Sequence, residues 1–230
     1  MALDVPGAAQ ARQVILTLGD SVTTYKVGKQ LFVAAGPEFV RELVAQGRKV
    51  FLDLKFHDIP NTVAAAVRSA AELGVSMMTV HASGGSKMLK AAAEAAAQSP
   101  RKPLVLAVTV LTSLADADLQ ETGVSGNVLS QVLRLGALAR NAGCGGLVAS
   151  AMEARELRRE LGEDFVIVTP GVRPVGGDAG DQARVITPGE AMRAGATYVV
   201  VGRPILATKD PANAARQILA EIEEAERLPA

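Results

Sequence analysis

The chain has 230 residues, a formal net charge of zero and only 3% aromatic residues. This composition excludes the basic surface and the stacking side chains that nucleic-acid-binding proteins use. No window holds about eighteen uninterrupted apolar residues, and the N-terminus reaches Asp4 without a basic segment followed by an apolar run. We therefore expect a soluble, cytoplasmic protein that binds neither nucleic acid nor membrane.

Short apolar runs alternate eight times with longer segments of helical pattern. The predicted strands are 2–4, 23–27, 49–55, 75–81, 103–110, 145–149, 165–169 and 197–201. The predicted helices lie near 7–18, 36–46, 60–73, 85–98, 125–142, 152–161, 188–194 and 211–226. This alternation predicts an α/β protein with a single domain over 1–230, folded as a closed (β/α)8 TIM barrel. An open doubly wound sheet is the alternative.

The third predicted strand ends in charged residues, although the rest of it is apolar. Side chains alternate between the two faces of a strand, so Asp53 and Lys55 share one face while Leu52 and Leu54 share the other. Asp58 follows three residues after Lys55. Charges at the end of a buried strand are costly to dehydrate unless they are paired or take part in chemistry. The pattern therefore indicates either an active site or a structural ion pair.

Other predicted strands also end in polar or charged residues, and barrel enzymes place their active sites at these carboxyl ends. The residues in question are Asp4, Lys26, Asp53, Lys55, His81, Thr109, Thr112, Ser113, Thr169 and Arg203. Charges of alternating sign follow one another from strand to strand, which favours an active site over isolated structural pairs. The two histidines, His57 and His81, are interpreted as structural residues. The single cysteine, Cys144, is interpreted as a core residue, and these three side chains are too few for a zinc cluster.

The last strands predict a phosphate site. The strand at 197–201 runs into Gly202, Arg203 and a helix start, and such a helix terminus favours an anion. The glycine-rich segment 170–182 carries Arg173 and Gln182 and has the character of a lid over a ligand. The alternatives are a surface arginine and a mobile surface loop.

These motifs resemble the orotidine 5'-phosphate decarboxylase family in its bacterial form. The matching segments are 2–4, 25–28, 53–62, 80–85, 110–113, 169–174 and 201–203. The D-x-K-x-x-D pattern of Asp53, Lys55 and Asp58 is shared with sugar-phosphate lyases and synthases of the same superfamily. The continuation through Thr62, together with Lys26, is more specific, because a related keto-gulonate phosphate decarboxylase is expected to carry a magnesium-binding glutamate where this chain has Lys26. Only three residues precede Asp4, fewer than is usual in the family, which makes the first strand thin.

The resemblance implies decarboxylation of orotidine 5'-phosphate to uridine 5'-phosphate without a metal or organic cofactor. Lys55 would donate a proton to C6 of the pyrimidine, Asp53 would stand beside the departing CO2, and Lys26 would belong to the same charged array. Asp4 would bind a ribose hydroxyl, and Thr112 and Ser113 would lie near the base. The implied phosphate ligands are Arg173, Gln182, Gly202 and Arg203.

The family is also expected to form a homodimer, in which Asp58 and Thr62 reach the site of the other subunit. Two other interpretations remain open at this stage. One is a phosphosugar lyase or epimerase of the same superfamily, which would require magnesium. The other is a barrel that binds a phosphorylated ligand without catalysis.

Overall fold

Seven parallel strands form one sheet in which each strand pairs with its neighbours in the chain. The computed structural model describes residues 1–173 and 186–227. The strands are β1 (Thr24–Gly28), β2 (Lys49–Phe56), β3 (Met77–His81), β4 (Leu104–Val108), β5 (Gly146–Val148), β6 (Val166–Pro170) and β7 (Tyr198–Val200). This sequential order and the interposed helices confirm the predicted α/β barrel.

The N-terminal residues lie between β7 and β1. Ala2 donates its backbone N–H to Val201 O at 2.7 Å, and Leu3 donates to Lys26 O at 3.0 Å. Ala2 and Lys26 also form an isolated parallel bridge. The predicted strand at 2–4 is therefore a single bridge rather than a full strand, because only a few backbone groups reach both neighbours. It nevertheless joins the first and last strands, so the open-sheet alternative is wrong.

Helices connect the strands and cover the outside of the barrel. They are α1 (Ala8–Leu18), α2 (Lys29–Ala45), α3 (Pro60–Glu72), α4 (Gly85–Ala97), α5 (Asp116–Glu121), α6 (Val128–Asn141), α7 (Ala151–Leu161), α8 (Pro188–Arg193), α9 (Arg203–Leu206) and α10 (Pro211–Arg227). Helix α2 begins before the predicted 36–46 and is interrupted at Gly36, whose φ is 71°. Pro37 follows and cannot donate a helical hydrogen bond, which explains the kink. The short α5 was not predicted.

Apolar side chains pack on both faces of the sheet. The larger cluster fills the space between strands and helices, and a smaller one occupies the barrel interior with Phe51, Met77, Leu106 and Val168. Full burial of each such side chain contributes about 1.5–3 kcal/mol. Cys144 is buried as predicted, and burial raises the pKa of its thiol to about 12. Among the described residues, no helix is long and apolar enough to cross a bilayer.

Candidate active site

Strand β2 carries Asp53 and Lys55 to the carboxyl end of the barrel. Phe51, in the interior cluster, precedes Asp53 by two residues, so both point to the inside of the sheet. The pairing of β2 with β3 is irregular between Leu52 and Phe56. Within this bulge Lys55 has a φ of 54°, in the left-handed region that non-glycine residues rarely adopt. The bulge directs the lysine ammonium back toward the carboxylate of its own strand.

Four charges of alternating sign are in contact across the barrel mouth. Lys55 Nζ lies 2.8 Å from each carboxylate oxygen of Asp53. Lys26 Nζ lies 3.7 Å from Asp53 Oδ2 and 3.1 Å from Asp4 Oδ1. Lys26 and Asp53 are largely buried, with side-chain exposures of 13% and 12%, whereas the Asp4 side chain is 54% exposed. The structure therefore brings together the four residues in the order in which their strands follow one another.

The Asp53 carboxylate is held in its ionised form. Burial alone would raise its pKa, but the positive charges of Lys55 and Lys26 act in the opposite direction. Hydrogen bonds from Lys55 and from the Thr79 hydroxyl stabilise the anion further, and the net result is a pKa below the ordinary value. A negative charge next to two ammonium groups is thus available at neutral pH.

A cavity of about 180 Å³ opens beside this array. Lys26, Asp53 and Lys55 form its charged side, and Thr112 contributes a hydroxyl. Its apolar side is formed by Phe51, Val108, Val110, Leu111, Val148, Ala149, Pro170 and Val200. An apolar wall opposite a row of charges suits a flat, partly polar ring. Ser113, the neighbour of Thr112, is exposed to solvent.

The predicted phosphate ligands lie on the β6 and β7 side of the barrel. Gly202 follows β7, and a Cβ atom placed on it would stand 3.3 Å from Asp4 Oδ2, so its backbone borders the charged array. Arg203 is exposed and opens α9. Arg173 is buried, and its guanidinium donates to Val172 O at 2.9 Å. Gln182 and most of the segment predicted to be a lid lie outside the described residues.

Asp58 and Thr62 stand apart from the array. Both are exposed, Asp58 in the turn after β2 and Thr62 in the first turn of α3. Asp58 Oδ1 accepts a hydrogen bond from the backbone N–H of Ile59 at 2.6 Å. Within residues 1–173 and 186–227, no ion pair links Asp58 to Lys26 or Lys55. Ile59 between them is 66% exposed.

The sequence interpretation missed Thr79. This residue lies on β3, has no exposed surface, and its hydroxyl is 2.9 Å from both Asp53 Oδ1 and the backbone nitrogen of Lys55. A signal was present, because a lone hydroxyl in an apolar strand that is buried on both faces requires a hydrogen-bond partner. His81, two residues later, lies 5.4 Å from His57 between ring centroids.

The chain folds as a parallel barrel, and amines and carboxylates cluster at the carboxyl ends of its strands. These two features together are typical of a (β/α)8-barrel enzyme. Residues 1–218 match the sequence model of the orotidine 5'-phosphate decarboxylase / HUMPS family. The chain belongs to this family.

Similar proteins support this assignment over nearly the full length. The orotidine 5'-phosphate decarboxylase of Moorella thermoacetica is 53% identical over 229 residues, which cover 97% of this chain and 91% of the relative. That of Hydrogenovibrio crunogenus is 50% identical over 222 residues, covering 96% and 94% of the two chains. The crystal structure of orotidine 5'-phosphate decarboxylase from Lactobacillus acidophilus superposes with a TM-score of 0.87 at 40% identity, and covers 96% of each chain.

Proposed function

We propose that this protein converts orotidine 5'-phosphate to uridine 5'-phosphate and CO2, a step of pyrimidine biosynthesis, without a metal or organic cofactor. The observation that carries the proposal is the contact of Lys55 with Asp53 at the edge of the apolar cavity, at 2.8 Å. Family membership supports the same reaction. Lys26 also favours it over a magnesium-dependent reaction on a keto-sugar phosphate, because that activity is expected to require a glutamate at this position.

In the proposed mechanism, the bond between C6 and the carboxylate carbon breaks and leaves its electron pair on C6. Lys55 protonates this carbon, so a C–H bond forms as CO2 departs, and the neutral amine then regains a proton from solvent. A fixed ammonium beside the developing negative charge stabilises the transition state. The Asp53 carboxylate holds the Lys55 ammonium in place until that moment, through an ion pair of 2.8 Å.

Repulsion between Asp53 and the substrate carboxylate is too small to supply the whole effect. Two unit charges about 4 Å apart interact by about 4 kcal/mol at an effective dielectric constant near 20. Enzymes commonly lower a barrier by about 8–23 kcal/mol. We therefore assign most of the catalysis to stabilisation of the carbanion by Lys55, with Lys26 as part of the same array.

The remaining residues bind the rest of the nucleotide in this proposal. The Asp4 carboxylate, which borders Gly202, accepts a hydrogen bond from a ribose hydroxyl. Thr112 and Ser113 lie near the base. Arg173, Gln182, Gly202 and Arg203 bind the phosphate. Binding energy from this remote group is used to close the site and exclude water, which strengthens the electrostatic interactions at C6.

A homodimer completes the site in this proposal, with Asp58 and Thr62 of one subunit reaching the array of the other. The exposure of both residues, and of the apolar Ile59 between them, supports an interface at this turn. An isolated subunit would otherwise leave the second acid of the D-x-K-x-x-D motif without a role.

The reaction is tested by following the absorbance change of orotidine 5'-phosphate in the presence of a chelator. We expect turnover by the wild type, and loss of CO2 release with retained uridine 5'-phosphate binding in Lys55→Ala. Lys90→Ala is the matched control, because Lys90 is an exposed helical lysine whose nearest acid is Glu94 at 3.9 Å. Near-normal turnover by Lys55→Ala would refute the role of Lys55. Binding without turnover in the wild type would favour a non-catalytic barrel.

The shared site is tested by mixing two inactive variants, Lys55→Ala and Asp58→Ala. Each heterodimer then contains one site with both residues intact. Random exchange of subunits should restore about a quarter of wild-type activity, because half the dimers are mixed and half their sites are complete. If the mixture stays inactive although subunits exchange, Asp58 does not act across the interface.

A further inference from the structure

Thr79 lies opposite the bulge of β2. Phe51, Leu52 and Phe56 pair with β3, but the three residues between Leu52 and Phe56 have no partner in the ladder, and Thr79 faces this gap. Met77 lies two positions earlier in the barrel-interior cluster, so the Thr79 side chain points inward, beneath the charged array. It has no exposed surface. Water therefore does not compete for its hydroxyl.

The direction of both hydrogen bonds of this hydroxyl is fixed by chemistry. The backbone N–H of Lys55 can only donate, so the Thr79 oxygen accepts from it, at 2.9 Å. The hydroxyl proton is then free for Asp53 Oδ1, also at 2.9 Å. Lys55 Nζ donates a hydrogen bond to the same carboxylate oxygen at 2.8 Å. One hydroxyl thus connects the backbone of Lys55 with the anion that binds its ammonium.

The left-handed conformation of Lys55 requires such a support. A non-glycine residue at a φ of 54° is strained, and strain of this kind persists only where the surroundings hold it. The bulge removes the ladder hydrogen bond that would normally satisfy the Lys55 N–H, and Thr79 takes its place. Without the hydroxyl, both the buried N–H and the carboxylate would lose a partner.

We propose that Thr79 is a positioning residue for the decarboxylation, which fixes the left-handed backbone of Lys55 and the orientation of the Asp53 carboxylate so that the ammonium faces the reacting carbon. This inference rests on the proposed function. Thr79 itself acts through these two residues, since Asp53 and Lys55 line the cavity and Thr79 does not.

The test compares Thr79→Val, which keeps the shape but removes the hydroxyl, with Thr79→Ser, which keeps the hydroxyl. Loss of a hydrogen bond to a charged group should lower kcat of Thr79→Val by about 10- to 100-fold. KM should stay within about twofold of wild type, because the groups that bind the nucleotide are unchanged. Thr79→Ser should keep kcat within about fivefold of wild type.

A pH profile separates positioning from a general loss of stability. The charged and titratable groups around Asp53 are Lys55 on its own strand, Lys26 on β1 and His81 on β3. Removing the hydroxyl withdraws a hydrogen bond from the ionised carboxylate, so the acid limb of the kcat profile should move to higher pH in Thr79→Val and return in Thr79→Ser. Ser99→Ala, which removes a buried hydroxyl that donates to Ala95 O before β4, should lower stability without moving the profile.

A titration of Asp53 by carboxyl-carbon NMR gives a readout that needs no turnover. The Asp53 pKa should rise in Thr79→Val and return toward wild type in Thr79→Ser. Absence of turnover in the wild type would refute the proposed function alone, because this titration still reports the action of the hydroxyl. If Thr79→Val does not fold, Thr79→Ala replaces it. Wild-type kcat, an unmoved Asp53 titration, or failure of both variants to fold would overturn the positioning role.

Discussion

The left-handed backbone at Lys55 predicts an unusual order of stability for two substitutions. Lys55→Ala and Lys55→Gly both remove the ammonium that lies 2.8 Å from Asp53, so the loss of this ion pair cancels in the comparison. Alanine at a φ of 54° retains a strain of about 1–2 kcal/mol, and glycine has none. Glycine in return loses about 0.5–1 kcal/mol through its more flexible unfolded chain.

The net difference should be about 0.7 kcal/mol in favour of Lys55→Gly. Urea unfolding followed by far-ultraviolet circular dichroism, at one fixed protein concentration, measures it directly. For a chain of this size the melting temperatures should differ by about 1.5–3 °C. The variant that carries glycine in a strand should therefore be the more stable one.

Lys49 provides the matched control on the same strand. It is exposed at the start of β2, and among the described residues only Lys55 and Lys102 combine a side chain with positive φ. Lys49→Gly should therefore be less stable than Lys49→Ala by about 0.5–1 kcal/mol. If Lys55→Ala were as stable as Lys55→Gly while the Lys49 pair behaved as expected, the strained backbone at the site would be refuted.

Two further predictions concern the surroundings of the array. Gly28→Ala would place a Cβ atom 3.1 Å from Lys26 Nζ and so displace the ammonium. We expect a lower kcat/KM with little loss of stability. Unchanged steady-state kinetics would contradict this prediction. The pKa of His81 is lowered by burial and by His57, Lys29 and Lys55. The unfolded chain therefore binds this proton more readily than the native one, and stability should fall as the pH drops below 6.5, the ordinary pKa of histidine. His81→Asn should reduce that loss, measured by urea midpoints on either side of this pH; an equal loss in both proteins would exclude His81 as its source.

The barrel was predictable from the sequence because it depends on repeated features. Eight alternations of apolar runs with helical patterns predict closure irrespective of the exact bounds of any one strand. That Asp53 and Lys55 share one face was predicted from the twofold periodicity of a strand, whereas their 2.8 Å contact occurs at the bulge of β2. The first strand was predicted too long, since a residue pattern does not show how few backbone groups remain for pairing at Ala2.

The details of the site depended on non-local contacts. Strict alternation gives no reason for the bulge in β2, which arises from the pairing with β3. Thr79 comes 24 residues after Lys55, and only the fold brings them together. Asp58 lies close to Lys55 in sequence but apart from the array in one subunit, because β2 ends at Phe56 and the chain turns away. Its proposed role requires a second chain, whose position a single sequence does not specify.

The alternating signs around the barrel mouth have a consequence for positional discrimination. Asp4, Lys26, Asp53 and Lys55 sum to zero, so the row attracts no ion over long distances through net charge. Its field instead reverses between neighbouring side chains, whose charged atoms lie 2.8–3.7 Å apart. In the proposed reaction, a ring displaced by one such step would meet a carboxylate where it requires an ammonium group. The row would therefore favour one alignment of the reacting carbon over the neighbouring ones.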